Sequence, residues 1–288
     1  RGVTKSLMSS HTSGDYTMSG VTAFDSDGFT LGSHNSTNAS GRNNISWNWK
    51  AGNATLGTGD FTQGTLASTC SRNVDAGFSI VSYTGDGNNG ATFGHGLSST
   101  PEIVFIKNRI SVQNWVAWGG GSSALFGRML LNTTVGNLTS YNATFSSSLV
   151  TMPDYDQSWN GNTNNMIAYC FHSVEGYSKV GSYTGNGSTD GTFVYTGFRP
   201  AYVMIKRTDT TASWNVLDSV RNPYNYVANY LYPNSSQAEV DGSTANFTRD
   251  YTANGFKLRA TNTFLNANGG TYIFLAFAEQ PFKHSNAR

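Results

Sequence analysis

The chain has 288 residues and a formal net charge of +1; only 12% of its residues are charged, while 13% are aromatic. So small a charge supplies no long-range field, which excludes a nucleic-acid backbone or an anionic membrane surface as the expected partner. No apolar run approaches the ~20 residues needed to cross a bilayer, so membrane insertion is not expected. The apolar runs are nonetheless regular and rich in β-branched and aromatic residues, so the chain is expected to fold.

Read from the N-terminus, Asp27-Gly28-Phe29-Thr30-Leu31 is a turn leading into a strand, and Asn254-Gly255-Phe256-Lys257-Leu258 echoes it. Ile45, Trp47 and Trp49 alternate with Ser46 and Asn48, the pattern of a half-buried strand. The stretch from Gly52 to Ala76 is rich in Gly and Thr and reads as a linker. Ser82-Tyr83-Thr84-Gly85, Pro101, Ile106-Lys107 and Trp115 then recur about one hundred residues later as Ser182-Tyr183-Thr184-Gly185, Pro200, Ile205-Lys206 and Trp214. Ile103-Val104-Phe105-Ile106 and Tyr202-Val203-Met204-Ile205 are short continuous apolar runs, as in strands covered on both faces. The motif that ends each unit occurs three times, at residues 44–49, 165–171 and 272–277.

The chain therefore reads as the back half of one unit (residues 1–52), a linker (53–77), a second unit (78–176) and a third (177–288). Because residue 1 falls in mid-unit and is not Met, the chain is expected to be part of a longer polypeptide. Five Asn-Gly pairs, at Asn89, Asn160, Asn186, Asn254 and Asn268, supply the positive φ angles of tight turns. Turn signals at this frequency, without sustained helical spacing, predict an all-β fold of tandem antiparallel β-sandwich, jelly-roll-like repeats.

Signals for chemistry are weak. His11, His34, His95, His172 and His284 show no metal-ligand spacing, and Cys70 and Cys170 are too few to staple the chain, so no metal or other cofactor is expected. Cys170 reads as a buried free thiol in an apolar strand. Trp115 and Trp214, at equivalent repeat positions, read as core. Gly119 to Ser123 reads as a flexible turn. Asp154 and Asp156 form the one carboxylate pair to weigh for glycoside hydrolysis, and their place in a loop beside Pro153 fits solvated side chains equally well.

A scaffold must repeat but a recognition loop need not, so positions that differ between copies are the better site candidates. From the strand leucine to the end-motif isoleucine the middle copy, Leu149 to Ile167, is longer than Leu31 to Ile45 or Leu258 to Ile273. Its extra residues fall in 152–161, where Asp154, Tyr155, Asp156 and Trp159 could stack on a sugar ring and bond its hydroxyls. Tyr224 and Tyr226, in 221–226, form a second candidate. The competing reading of both is a surface loop stapled by its own aromatics, or a subunit interface.

Residues 27–33, 47–52, 77–85, 167–176 and 275–282 together resemble a family of repeat-containing virion proteins of tailed bacteriophages, often found beside a lectin-like concanavalin-type sandwich. The resemblance covers most of residues 20–283 and brings no binding residues with it. What it implies is a virion structural protein of a tail fibre or similar host-facing appendage, on the particle surface among other virion proteins; with the aromatic loops and the weak signals for chemistry, the expectation is non-enzymatic, non-covalent contact with host surface glycans. A homo-oligomer, by analogy a trimer, follows from the same resemblance. The alternatives are a capsid decoration or appendage spacer, and a polysaccharide depolymerase.

Overall fold

The computed structural model describes residues 2–52, 54–120, 125–244 and 246–280. His284 and the 121–123 part of the glycine turn lie outside these. In the first copy the elements are β1 (Lys5–Ser6), β2 (Tyr16–Thr17), β3 (Val21–Phe24), β4 (Phe29–Leu31) and the single turn α1 (Asn35–Asn38). The second holds β5 (Ser68–Asn73), β6 (Phe78–Thr84), β7 (Thr92–Gly94), β8 (Ile103–Asn108), β9 (Val116–Gly119), β10 (Arg128–Leu130), β11 (Thr144–Phe145), β12 (Leu149–Thr151), α2 (Gln157–Asn160) and β13 (Asn165–Phe171). The third holds β14 (Ser178–Thr184), β15 (Phe193–Tyr195), β16 (Pro200–Arg207), β17 (Asn215–Asp218), β18 (Arg249–Thr252), β19 (Gly255–Leu258), α3 (Thr263–Asn266) and β20 (Thr271–Ala278).

The second and third copies are the same antiparallel sandwich. A large sheet, β10-β9-β8-β13-β6-β5 in one and β14-β20-β16-β17 in the other, faces a three-stranded sheet, β11-β12-β7 or β15-β19-β18. The end-motif strand is central in each: β13 lies between β6 and β8, and β20 between β14 and β16. Every residue of β8 is buried, as its unbroken apolar run requires. Val81, Phe93, Val104, Trp118 and Trp159 fill the second sandwich; Val203, Leu217, Tyr251, Phe256 and Leu265 fill the third.

Two segments differ from the sequence reading. Part of the expected linker is β5, which pairs along its whole length with β6. Its small residues, Ser68, Thr69, Cys70 and Ser71, give little apolar signal, although Ser68 and Cys70 are buried and Cys70 also bridges Leu56 on the other side. Conversely, Asn44 to Trp49 keeps its alternation, with Ile45, Trp47 and Trp49 half-buried between exposed neighbours, but it joins no sheet among the described residues.

Each copy places a single helical turn ahead of its end-motif strand, and in the complete copies the last residue of that turn is a buried asparagine. Asn160 Oδ1 accepts from the Asp86 amide while its Nδ2 donates to Asp86 Oδ1 (2.9 Å) and the Asn88 carbonyl (2.8 Å). Asn266 repeats this with the Asn186 amide and Oδ1 and the Ser188 carbonyl, and adds the Ala260 carbonyl. Tyr83 and Tyr183 donate to the carbonyl one residue earlier, at Trp159 and Leu265. Truncating Asn266 strands several buried polar partners, so Asn266→Ala is expected to lower unfolding free energy by about 2–3 kcal/mol in denaturant titrations.

The copies dock in series by one device used twice. Trp115 Nε1 donates to the Met8 carbonyl (2.9 Å) and Lys107 Nζ to the Thr12 carbonyl (2.8 Å) of the first copy. Trp214 Nε1 donates to the Leu130 carbonyl (3.0 Å) and Lys206 Nζ to the Thr134 carbonyl (3.3 Å) of the second. The backbones approach so closely that a Cβ at Gly14 would sit 2.5 Å from the Arg109 carbonyl oxygen, and one at Gly136 2.8 Å from that of Thr208. The first copy also meets the third: Ser9 Oγ donates to the Pro233 carbonyl, and Trp47 and Trp49 pack edge-on against Tyr202. All three copies thus turn one face into a common core, which holds Phe105, Trp115 and Phe171 beside Trp214, Leu275 and Phe277, with Trp47 and Trp49 packed against it.

Candidate functional site

Residues 152–156 lie between β12 and α2, ahead of the helical turn that all copies share, and they are not an insertion. By strand pairing and burial Met152, not Leu149, takes the place of Leu258, as Asp156 takes that of the N-cap Asn262, so the greater length read from the sequence came from a three-residue shift in matching the copies. Met152 is buried, Asp154 and Tyr155 are exposed, and the Tyr155 amide donates to Asn89 Oδ1 (2.7 Å), which fixes the loop against the β6–β7 turn. Asp156 is the N-cap of α2, its Oδ1 accepting from the Ser158 amide (2.7 Å). One carboxylate of the candidate hydrolytic pair therefore has a structural task, which weighs against two free carboxylates facing each other across a bond.

Trp159 is not an exposed stacking platform. It is 0% exposed, packs 5.3 Å from Trp118 and donates through Nε1 to the Asp154 carbonyl (3.2 Å). Its neighbours in sequence are polar, but the shared helical turn points it inward to the place held by Leu265 in the third copy. What it supports is a cluster that sequence reasoning missed. The Arg128 guanidinium lies 5.4 Å from the ring centroid of half-exposed Tyr141 and 5.5 Å from that of Trp159. Burial pulls the Arg128 guanidinium below its ordinary value, the charges of Asp156 and Tyr141 opposing the shift, and its Nε is buried with no hydrogen-bond partner among the described residues. Arg128 stands where the third copy has Tyr230 and the first has Ser6; comparison of the copies at that position is the signal that could have found it.

The second candidate loop is rigid and presents its aromatics outward. Arg221 joins buried Asp218 (2.7 Å) to Glu239 (2.7 Å), Asn222 Oδ1 accepts from the Ala228 and Asn229 amides, and Asn225 bonds both backbone groups of Tyr251. Held this way, Tyr224 is 84% and Tyr226 52% exposed. The loop replaces the glycine- and serine-rich connection that follows β9 in the second copy.

The two candidates are not brought together. The β12–α2 loop lies at the end of its sheet where β6 stops and β13 starts, while the loop after Asp218 lies at the opposite end, beside Tyr202 at the start of β16. The histidines form no ligand cluster among the described residues: His95 is buried beneath the β11–β12 turn, within reach of the charge of His172, and His172 bonds the neighbouring Ser173 carbonyl. Among the described residues no group of three or more His, Cys, Asp or Glu side chains could hold a metal ion. Both cysteines are buried and free, and burial raises the Cys70 thiol to about 11.

Two sandwiches that share a strand order, one of them extended by the edge strands β5 and β10, define an all-β protein built of tandem repeats. The chain belongs to the family described as a domain of unknown function, DUF7483, which it matches over residues 1–281. No curated protein and no solved structure matches it.

Proposed function

We propose that this chain is a non-enzymatic attachment module of a bacteriophage tail fibre or similar appendage, and that it binds host surface glycans. The observation that carries the reading is the division of labour between positions. Trp115 and Trp214, common to the copies, are buried, whereas Tyr224 and Tyr226 are exposed on a braced loop where the copies differ. Tyr224 and Tyr226 offer flat apolar faces at little cost in ordering, because Asn222, Asn225 and Arg221 already hold the loop that carries them. Tyr155, Asp154 and Tyr141, with Arg128 behind, form a weaker second patch. The virion setting comes from the motif resemblance, and it suits weak single sites, which several copies per particle, a trimer among them, would convert to avidity.

The test is binding of the chain to a glycan array and to host cells. Tyr224→Ala with Tyr226→Ala is expected to weaken binding more than about tenfold, the loss of a buried aromatic anchor, without moving the melting temperature. Unchanged binding by the double variant would overturn the assignment of this loop. No binding to any glycan or cell would favour a spacer that contacts only other virion proteins.

A further inference from the structure

Two separate surfaces stand open among the described residues. The first is the end-motif strand of the first copy. In the second and third copies this strand has a neighbour on either side, yet among the described residues the equivalent Asn44 to Trp49 has neither, although its alternation is intact. Trp47 Nε1 is buried there with no hydrogen-bond partner among the described residues. An apolar cavity of about 300 Å³, lined by Trp49, Ile80, Tyr169, Tyr202, Met204 and Leu275, lies where the three copies meet.

The second surface is the docking edge of the third copy. By the pairing of Val216 with Leu231, Tyr232 and Ser236 are the equivalents of Leu130 and Thr134. The Leu130 carbonyl receives Trp214 and the Thr134 carbonyl receives Lys206. The Tyr232 carbonyl receives only the Ser235 amide among the described residues, and Ser236 to Glu239 are exposed where their second-copy counterparts Thr134 and Gly136 are half-buried.

We propose that this open side is a docking site for one further copy of the repeat's own front half. The occupant is a segment with strands equivalent to β6, β8 and β9, carrying the lysine and tryptophan that Lys107 and Trp115 represent. Its first two strands flank Asn44 to Trp49, its apolar faces close the cavity, and its lysine and tryptophan reach the Ser236 and Tyr232 carbonyls. One object satisfies both surfaces, which neither surface alone requires. A second copy of this chain is a poor occupant because its own two lysine–tryptophan pairs are already engaged within it. Ala238 stands where the other edges have glycine, so the incoming backbone must stand off slightly at that position. The proposal is independent of the glycan reading.

The test joins residues 78–122 ahead of Arg1 of the full chain. Amide exchange at residues 45–49 is expected to slow at least about tenfold relative to the unextended chain, and acrylamide quenching of tryptophan to fall. The gain should vanish when the appended segment carries the Lys107→Met and Trp115→Ala changes, while the rest of the chain keeps its protection. Equal exchange in extended and unextended chains would overturn the proposal. So would an unextended chain that sediments as an oligomer with these amides already protected, which would make a second copy the occupant.

Discussion

Trp214→Ala is expected to destabilise the chain by about 4 kcal/mol, the loss typical of a buried tryptophan truncated to alanine, and to lower the melting temperature by roughly 10 °C. Trp214 is 1% exposed and lies 6.1 Å from Phe105 of the preceding copy, so its ring fills the core that the copies share. Its Nε1 also serves the Leu130 carbonyl, which would be left without that donor. Trp214→Phe keeps most of the ring and loses the donor, so it should cost only about 1 kcal/mol for the hydrogen bond plus a small packing loss. Trp159→Ala provides the contrast. It empties a comparable volume inside the second sandwich, so it should destabilise to a similar degree without separating the copies. Calorimetry of the three variants reads both effects: a lowered single transition for Trp159→Ala, and a broadened or divided one for Trp214→Ala.

Acidification is expected to remove on the order of 3 kcal/mol of stability through His95 alone, since each tenfold change in proton affinity between the folded and unfolded chain is worth about 1.4 kcal/mol. Burial pulls this histidine down to about 4, against the bonding of the Ser146 carbonyl, which favours the charged ring. Its Nε2 faces that carbonyl at 3.2 Å and its Nδ1 accepts from the Leu97 amide at 3.1 Å, so the neutral ring is held at both nitrogens. Between pH 6.5 and 4 the unfolded chain takes up a proton that the folded chain refuses. Stability therefore falls as pH drops through that window and levels off below it. His95→Gln should flatten this part of the pH profile relative to the unmodified chain, although other carboxyl groups still titrate at its lower end. Parallel profiles for the two chains would show that the ring is solvated or protonated when folded.

The strands of the two complete sandwiches, β5 excepted, were legible because their side chains carry the information. Pro101 and Pro200 open equivalent apolar runs, and Trp115 and Trp214 take buried positions as their repetition suggests. The docking of one copy on the next was not legible, because Met8, Thr12, Leu130 and Thr134 take part through backbone carbonyls, which every residue possesses. Only Lys107 and Lys206 hinted at it: a lysine repeated at the end of an apolar strand needs oxygen acceptors when buried, and burial pulls both amines down to about 8. Trp159 was misplaced because its polar sequence neighbours suggested an open loop, whereas a four-residue helical turn rotates it into the core. Tyr224 and Tyr226 were legible for the opposite reason. No apolar periodicity surrounds them, and Arg221, Asn222 and Asn225 around them brace the loop rather than bury it.

The copies form one body through the repeated tryptophan and lysine contacts, and differential scanning calorimetry of the intact chain tests this most directly. One transition is predicted, with equal calorimetric and van't Hoff enthalpies, as for a single cooperative unit. Two resolved transitions that leave the first unchanged when Trp214 is replaced by alanine would contradict it, because the second and third copies would then be folding as independent domains.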